Sequence, residues 1–247
     1  MENKNLLHGI KEANSQRYEN PEEVDGYLSE PYHSIRSSEG VDLLKKGLDR
    51  QFAEATKKII EIAASTGKVA RLIDDSCKGS VIASDIEYTP LMLARQKGLN
   101  CVQFDASMGF PFLSNTYHGI YMGELIEHIF DTSFLLSECN RILVEQGILV
   151  ITTPNLAGLQ DRISFLFGIS PRHVNPLHEY LSLHIRPFTY DMLNRALRAH
   201  GFKVVALRSN LVRIRFSSGN SINSRLLARL FPSLGGSLVV EAQKNSC

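Results

Sequence analysis

The sequence predicts an α/β fold, a doubly wound and mostly parallel sheet, on three observations. Short apolar runs of strand length alternate with stretches of helical periodicity from Lys58 onward. The runs end in small or acidic residues, as at Ala63-Ala-Ser65 and Ser84-Asp85. The 247 residues, 43% hydrophobic, suffice to bury the core of one large domain. Such alternation calls for parallel strands joined by crossover helices. Sheets of this kind bind ligands beyond the carboxyl ends of their strands, where the strand order reverses.

Residues 1–40 are polar and read as an irregular arm with one short helix. Val41, Leu43, Leu44, Leu48 and Phe52 recur at helical spacing and predict a helix over 41–57. A strand over 58–63, a helix over 68–75, a strand over 81–85 and a helix over 89–97 follow. Strands over 101–105 and 119–123, a helix over 134–143 and a strand over 147–153 continue the pattern. Beyond Pro154 the glycines and prolines at 158, 168, 171 and 176 interrupt it, which predicts a lid or insertion over 155–186. A helix over 190–200 is stopped by Gly201, and strands over 202–207 and 237–242 bracket a second variable segment, 211–235. The expected organisation is an arm and helix over 1–57 packed on one domain over 58–247, with 155–186 and 211–235 facing substrate.

Composition removes several function classes. A formal net charge of +1 gives no global attraction to nucleic acid or to a membrane. Four scattered cysteines without a CxxC pair argue against a disulfide framework or a thiolate zinc site. The polar start does not look like a signal peptide, and no run approaches the roughly 20 apolar residues of a membrane span. The expected location is the cytoplasm, as a monomer or homodimer.

The loop after the first strand, Glu61-Ile-Ala-Ala-Ser-Thr-Gly67, is built of small residues before a helix. It lets a ligand approach the backbone and offers unpaired N–H groups, although a tight strand-to-helix turn has the same composition. Asp85 follows about 20 positions later at a strand end, where a carboxylate meets ribose hydroxyls; a helix N-cap is the alternative. Asp105 ends the third strand, placed to accept from an adenine amino group or to close an ordinary turn.

In this order the parts resemble the class I S-adenosylmethionine-dependent methyltransferases, in particular the ubiquinone-biosynthesis type, from Lys58 onward. The resemblance is carried by 61–67, by Asp85-Ile-Glu87, by Asp105 with Pro111-Phe112, by Glu124-Leu-Ile-Glu-His128, by Arg141-Ile-Leu143, by 147–150 and by Thr153-Pro-Asn155. It implies a Rossmann-like seven-stranded sheet that seats S-adenosylmethionine and releases S-adenosylhomocysteine. The seat would comprise Glu61, Ala63, Ser65, Gly67, Asp85, Ile86, Asp105, Ala106 and Glu124. The family's first motif carries glycines where this chain has Ala63 and Ser65. Alanine is accommodated if its φ stays negative, whereas Ser65 is the greater departure should φ be positive there.

Methyl transfer needs an aligned acceptor and, for a hydroxyl, a base. If a helical turn starts just after the fourth strand, Glu124, Glu127 and His128 share a face and converge. That makes them the catalytic candidates. They also suit a divalent cation such as Mg²⁺ or Zn²⁺, the alternatives being His128 as a metal-free base or a cofactor-side, helix-capping element. The pattern resembles the metal motif of ubiquinone O-methyltransferases and small-RNA 2′-O-methyltransferases, in which His184 would complete the set. His173 and His178, in the lid, are candidates to face the acceptor, while His200 at a helix end reads as structural. Arg213 and Arg215 alternate on one strand face and Arg225 and Arg229 share a helix face; together they would receive an anionic acceptor, or form a solvated basic face. Leu226, Leu227, Leu230 and Phe231 read as core or lid packing rather than a membrane anchor.

The expected activity is O-methylation of a small-molecule or glycan-type acceptor. A degenerate fold serving as a non-catalytic scaffold is the alternative. A nicotinamide-dependent oxidoreductase lacks its GxGxxG, and nucleic-acid methylation lacks an aromatic-basic tract.

Overall fold

The computed structural model describes residues 21–54, 56–175, 183–215 and 220–246. Helices α1 (Pro21–Ser29) and α2 (Pro31–Gln51) precede the sheet. Strand β1 (Lys57–Ile62), α3 (Lys68–Ser76), β2 (Gly79–Asp85), α4 (Tyr88–Gln96), β3 (Asn100–Gln103) and β4 (Tyr117–Gly123) follow in α/β alternation. Then come α5 (Thr132–Ile142), β5 (Leu143–Pro154), α6 (Leu159–Leu166), α7 (Tyr190–Ala199) and β6 (Phe202–Arg208). A hairpin of β7 (Val212–Arg215) and β8 (Ser221–Ser224), helix α8 (Arg225–Leu230) and β9 (Ser237–Lys244) complete the described chain.

Seven strands form one sheet in the order β3-β2-β1-β4-β5-β9-β6, in which β9 alone runs antiparallel to its neighbours. Side-chain alternation along each strand divides the core in two. Ile60, Ile62, Leu149 and Ile151 pack with Leu135, Leu136, Leu193 and Leu197 beneath α5 and α7. Ile59, Ile148 and Val150 face the other way, against Leu44 and Leu48 of α2 and Ala70 and Ile73 of α3. A Cβ at Gly119 would stand 3.1 Å from Leu44 Cδ1 and 3.2 Å from Leu48 Cδ2, so glycine there lets α2 lie close on β4.

Two expectations for the flanking segments need correction. Residues 31–40 are helical, and the helix ends at Gln51 rather than reaching 57. Apolar periodicity misses its first half because that half buries His33, Arg36 and Ser37, polar side chains that face a cavity. In α8 only Ala228 is buried, while Leu226, Leu227, Leu230 and Phe231 are exposed and so contribute little core or lid packing. Among the described residues no helix is long and apolar enough to cross a membrane.

Candidate functional site

The strand order reverses between β1 and β4, which are neighbours although β2 and β3 separate them in sequence. The loops after β1, β2, β4 and β5 therefore gather at one edge of the sheet, the place where open α/β sheets hold ligands. A cavity of about 690 Å³ opens there. Its walls include Glu61, Ala63, Ser65, Asp85, Ile86, Glu124, Glu127, His128, His173, His184, Arg213 and Arg215. Gly67, Asp105 and Ala106 are not among its lining. His178 lies outside the described residues.

The loop after β1 is strained. Ala63, Ser65 and Gly67 have φ of 63°, 51° and 75°, in the left-handed region. For Ala63 this corrects the expectation of a negative φ; for each non-glycine residue the conformation costs roughly 1–2 kcal/mol. Backbone contacts hold it: Ala64 N–H donates to Ser84 O at 2.8 Å and Gly67 N–H to Ala64 O at 2.9 Å. Asp85 completes the brace, its Oδ2 accepting from Ser65 N–H at 2.8 Å and its Oδ1 from Glu87 N–H at 3.0 Å. Gly67 serves packing, because a Cβ there would stand 2.6 Å from Ala94 Cβ.

Buried carboxyls ring the same edge. Burial pushes Glu61 well above the usual carboxylate range, Asp85's charge adding to the effect. Asp85 is raised by burial too, against which the N–H groups of Glu87, Ser65 and Ile86 pull down. Asp105 instead turns onto its own loop, its Oδ1 accepting from Ser107 N–H at 2.8 Å and Ser107 Oγ at 2.6 Å. Ala106 is buried in the core.

The helical turn expected at Glu124 does not form. Glu124 has φ of 53°, with its N–H bonded to Thr152 O at 2.8 Å, and only Ile126–His128 make a single 3₁₀ turn. Glu124 therefore leaves its two supposed companions and accepts from Arg36 Nη1 at 2.8 Å and Thr152 Oγ1 at 3.2 Å. Glu127 and His128 are joined by His184 instead, with ligand-type atoms all within 4.8 Å of one another. His173 extends the cluster, its ring 6.2 Å from that of His184 and nearly parallel to it. Glu127 is 1% exposed and accepts from Thr153 Oγ1 at 3.0 Å, while its Oε1 has no hydrogen-bond partner. Burial and the neighbouring Glu124 charge push its carboxyl well above the ordinary range. His128 Nδ1 lies 2.9 Å from Leu183 O, and since a carbonyl only accepts, Nδ1–H is the donor.

Sequence reasoning missed Arg36. It is buried, lines the cavity, and its Nε has no hydrogen-bond partner. A lone arginine in a polar stretch carries no spacing signal, so only the packing of α2 could reveal it. Arg141 and Asn155 of the other motifs brace the backbone. Arg141 bonds Glu138 and the carbonyls of Phe110 and Phe112, and Asn155 bonds the carbonyls of Ser233 and Gly235. Arg213 stacks over Tyr32 at 4.9 Å and bonds Asn223, and His200 Nδ1 lies 2.7 Å from Ala196 O at the end of α7.

Residues 33–207 match the model of a methyltransferase domain family. Two sequences from Mycobacterium tuberculosis strains, each described as a probable S-adenosylmethionine-dependent methyltransferase, are 27% identical over 152 residues. That stretch is 61% of this chain, and the chain spans about half the length of these curated relatives. A chain from a Haloferax volcanii complex between a methyltransferase activator and a methyltransferase superposes with TM-score 0.61 at 15% identity, covering 90% of this chain and 97% of that one. A Bacillus halodurans structure described as a methyltransferase gives 0.60 at 18%, covering 82% and 99%. At such identities the two structures speak for the fold alone.

Proposed function

The chain belongs to the class I S-adenosylmethionine-dependent methyltransferase family, and on that premise we propose that it methylates a hydroxyl of a small-molecule or glycan-type acceptor. The observation that carries a working cofactor seat is the left-handed backbone of Ala63 and Ser65 beside the cavity. A conformation that disfavours side chains is kept where a backbone must approach a ligand, as strain at functional sites often is. A scaffold with no ligand there would gain stability by relaxing it.

In this reading the loop 63–65 seats the cofactor's backbone-facing side, and Asp85, already oriented by two N–H groups, accepts from ribose hydroxyls. Arg36 and Glu124, paired across the cavity wall, are a cation and an anion set to match the carboxylate and ammonium of an amino-acid moiety. When bound, the cofactor supplies an electrophilic sulfonium methyl group. A hydroxyl acceptor must give up its proton as it attacks, and His128, in the cavity wall, is the base that takes it in this reading. One carboxylate and two imidazoles at Glu127, His128 and His184 also fit a divalent cation, zinc better than magnesium, which prefers oxygen ligands. A cation there would lower the pKa of an acceptor hydroxyl.

Isothermal titration with S-adenosylmethionine and S-adenosylhomocysteine tests the seat; binding of neither ligand would favour the scaffold alternative. Arg36→Ala is expected to weaken S-adenosylhomocysteine by about 1–3 kcal/mol while sparing adenosine, which lacks the amino-acid end. Equal losses for both ligands would remove Arg36 from that role. For the cation, direct titration of Zn²⁺ is expected to show one site that Glu127→Gln weakens at least tenfold. Full turnover in chelator, with no such site, leaves His128 as a metal-free base.

A further inference from the structure

Helix α6 has no buried residue. Phe165, Leu166 and Phe167 at its carboxyl end are 56%, 83% and 76% exposed, and Leu226, Leu230 and Phe231 of α8 are 67%, 62% and 55% exposed. The two helices belong to one face. Gln160 of α6 bonds both the carbonyl and the N–H of Arg215 on β7, and Arg162 Nη2 donates to Ser233 O in the turn after α8. Apolar residues in such number on an exposed surface mark something that covers them.

Charge points to what that is. Residues 155–186 and 211–235 hold seven arginines, no lysine and two acidic residues. Their surplus of five positive charges sits in a chain of net charge +1, so the remainder is net negative by four. Arg162, Arg215, Arg225 and Arg229 are exposed among the apolar side chains. Leucine and phenylalanine suit the acyl boundary of a bilayer, and guanidinium groups bind lipid phosphates in a fork. The same segments border the cavity through Leu159, Ser164, Ile169 and Arg215.

We propose that α6, α8 and the turns beside them dock on an anionic lipid bilayer, so that an acceptor carried on a lipid reaches the cavity directly. The acceptor class rests on the methyltransferase reading above; the docking does not, and its test needs no turnover. The full chain is sedimented with vesicles of phosphatidylcholine and with vesicles also containing phosphatidylglycerol. Pelleting is expected with the anionic vesicles, falling as salt is raised. The double variant Leu166→Asp, Leu230→Asp should lose at least ten-fold in partitioning, and Arg229→Glu less. Both changes are at exposed positions, and an unchanged thermal melt verifies the fold. The chain has no tryptophan and eight tyrosines, so Phe167→Trp gives a single tryptophan whose selectively excited emission should shift to the blue on anionic vesicles. A chain that stays in the supernatant with both vesicle types overturns the proposal. So does a concentration-dependent dimer that the double variant abolishes, which would make the face a contact between copies. If vesicles bind while the cofactor titration fails, docking stands and the methyltransferase reading falls.

Discussion

Asp85→Ala is expected to weaken S-adenosylhomocysteine by about 1–3 kcal/mol, a loss of roughly one to two powers of ten in affinity. The effect should exceed that of a lost ribose contact, because the carboxylate also clamps Ser65 N–H at 2.8 Å, where φ is 51°. Without the clamp the loop after β1 is free to relax, and the ligand must then restore its shape on binding. Asp85→Asn keeps one acceptor oxygen and should fall between the two. Titration of both variants measures this directly. Wild-type affinity in Asp85→Ala would end both the ribose assignment and the brace. Ser65→Gly is the converse change: it removes the strain of a side chain at positive φ, so binding is expected to persist or tighten.

Leu44→Ala should destabilise the fold by about 2–5 kcal/mol, the range for emptying a fully buried leucine site. Leu44 is 0% exposed and packs from α2 onto the sheet at Gly119, with Leu48 one turn on. Collapse of α2 into the space is limited, since α2 is also pinned by Arg36 to Glu124 and by Arg50 to Glu241. Urea unfolding followed by circular dichroism gives the midpoint. A wild-type midpoint would mean that α2 unfolds apart from the sheet. The exposed Leu166→Asp, by contrast, should move stability by no more than about 0.5 kcal/mol.

The sheet was legible because its signal is local and repeated. The central parallel strands carry apolar runs such as Ile59-Ile60 or Ile148–Ile151, and burial on both faces demands such runs. The cavity's position follows from strand order, and Asp85 could be found because it ends a strand. What escaped depends on contacts between distant segments. Arg36 reaches Glu124 across 88 positions. Only the resemblance sets His184 beside Glu127 and His128 in the sequence, and it is the chain after β5 that carries it there. Glu124 illustrates a different failure: residue spacing assumes a helix, whereas its N–H is taken by Thr152 on β5. Asp105 had two readings in sequence, and its Oδ1 accepts from Ser107 within the turn.

The reversed strand carries a consequence for the order of folding. Strand β6 joins the sheet only through β9, which comes 28 residues or more later and inserts between β5 and β6. During synthesis β1 to β5 can assemble as they emerge, but β6 has no edge to zip onto until β9 arrives. The five-stranded intermediate exposes the flank of β5, an open edge that invites pairing with another chain. Slow or interrupted production of 237–244 should therefore favour aggregation over a loosely folded monomer, and a chaperone that shields that edge would raise the yield.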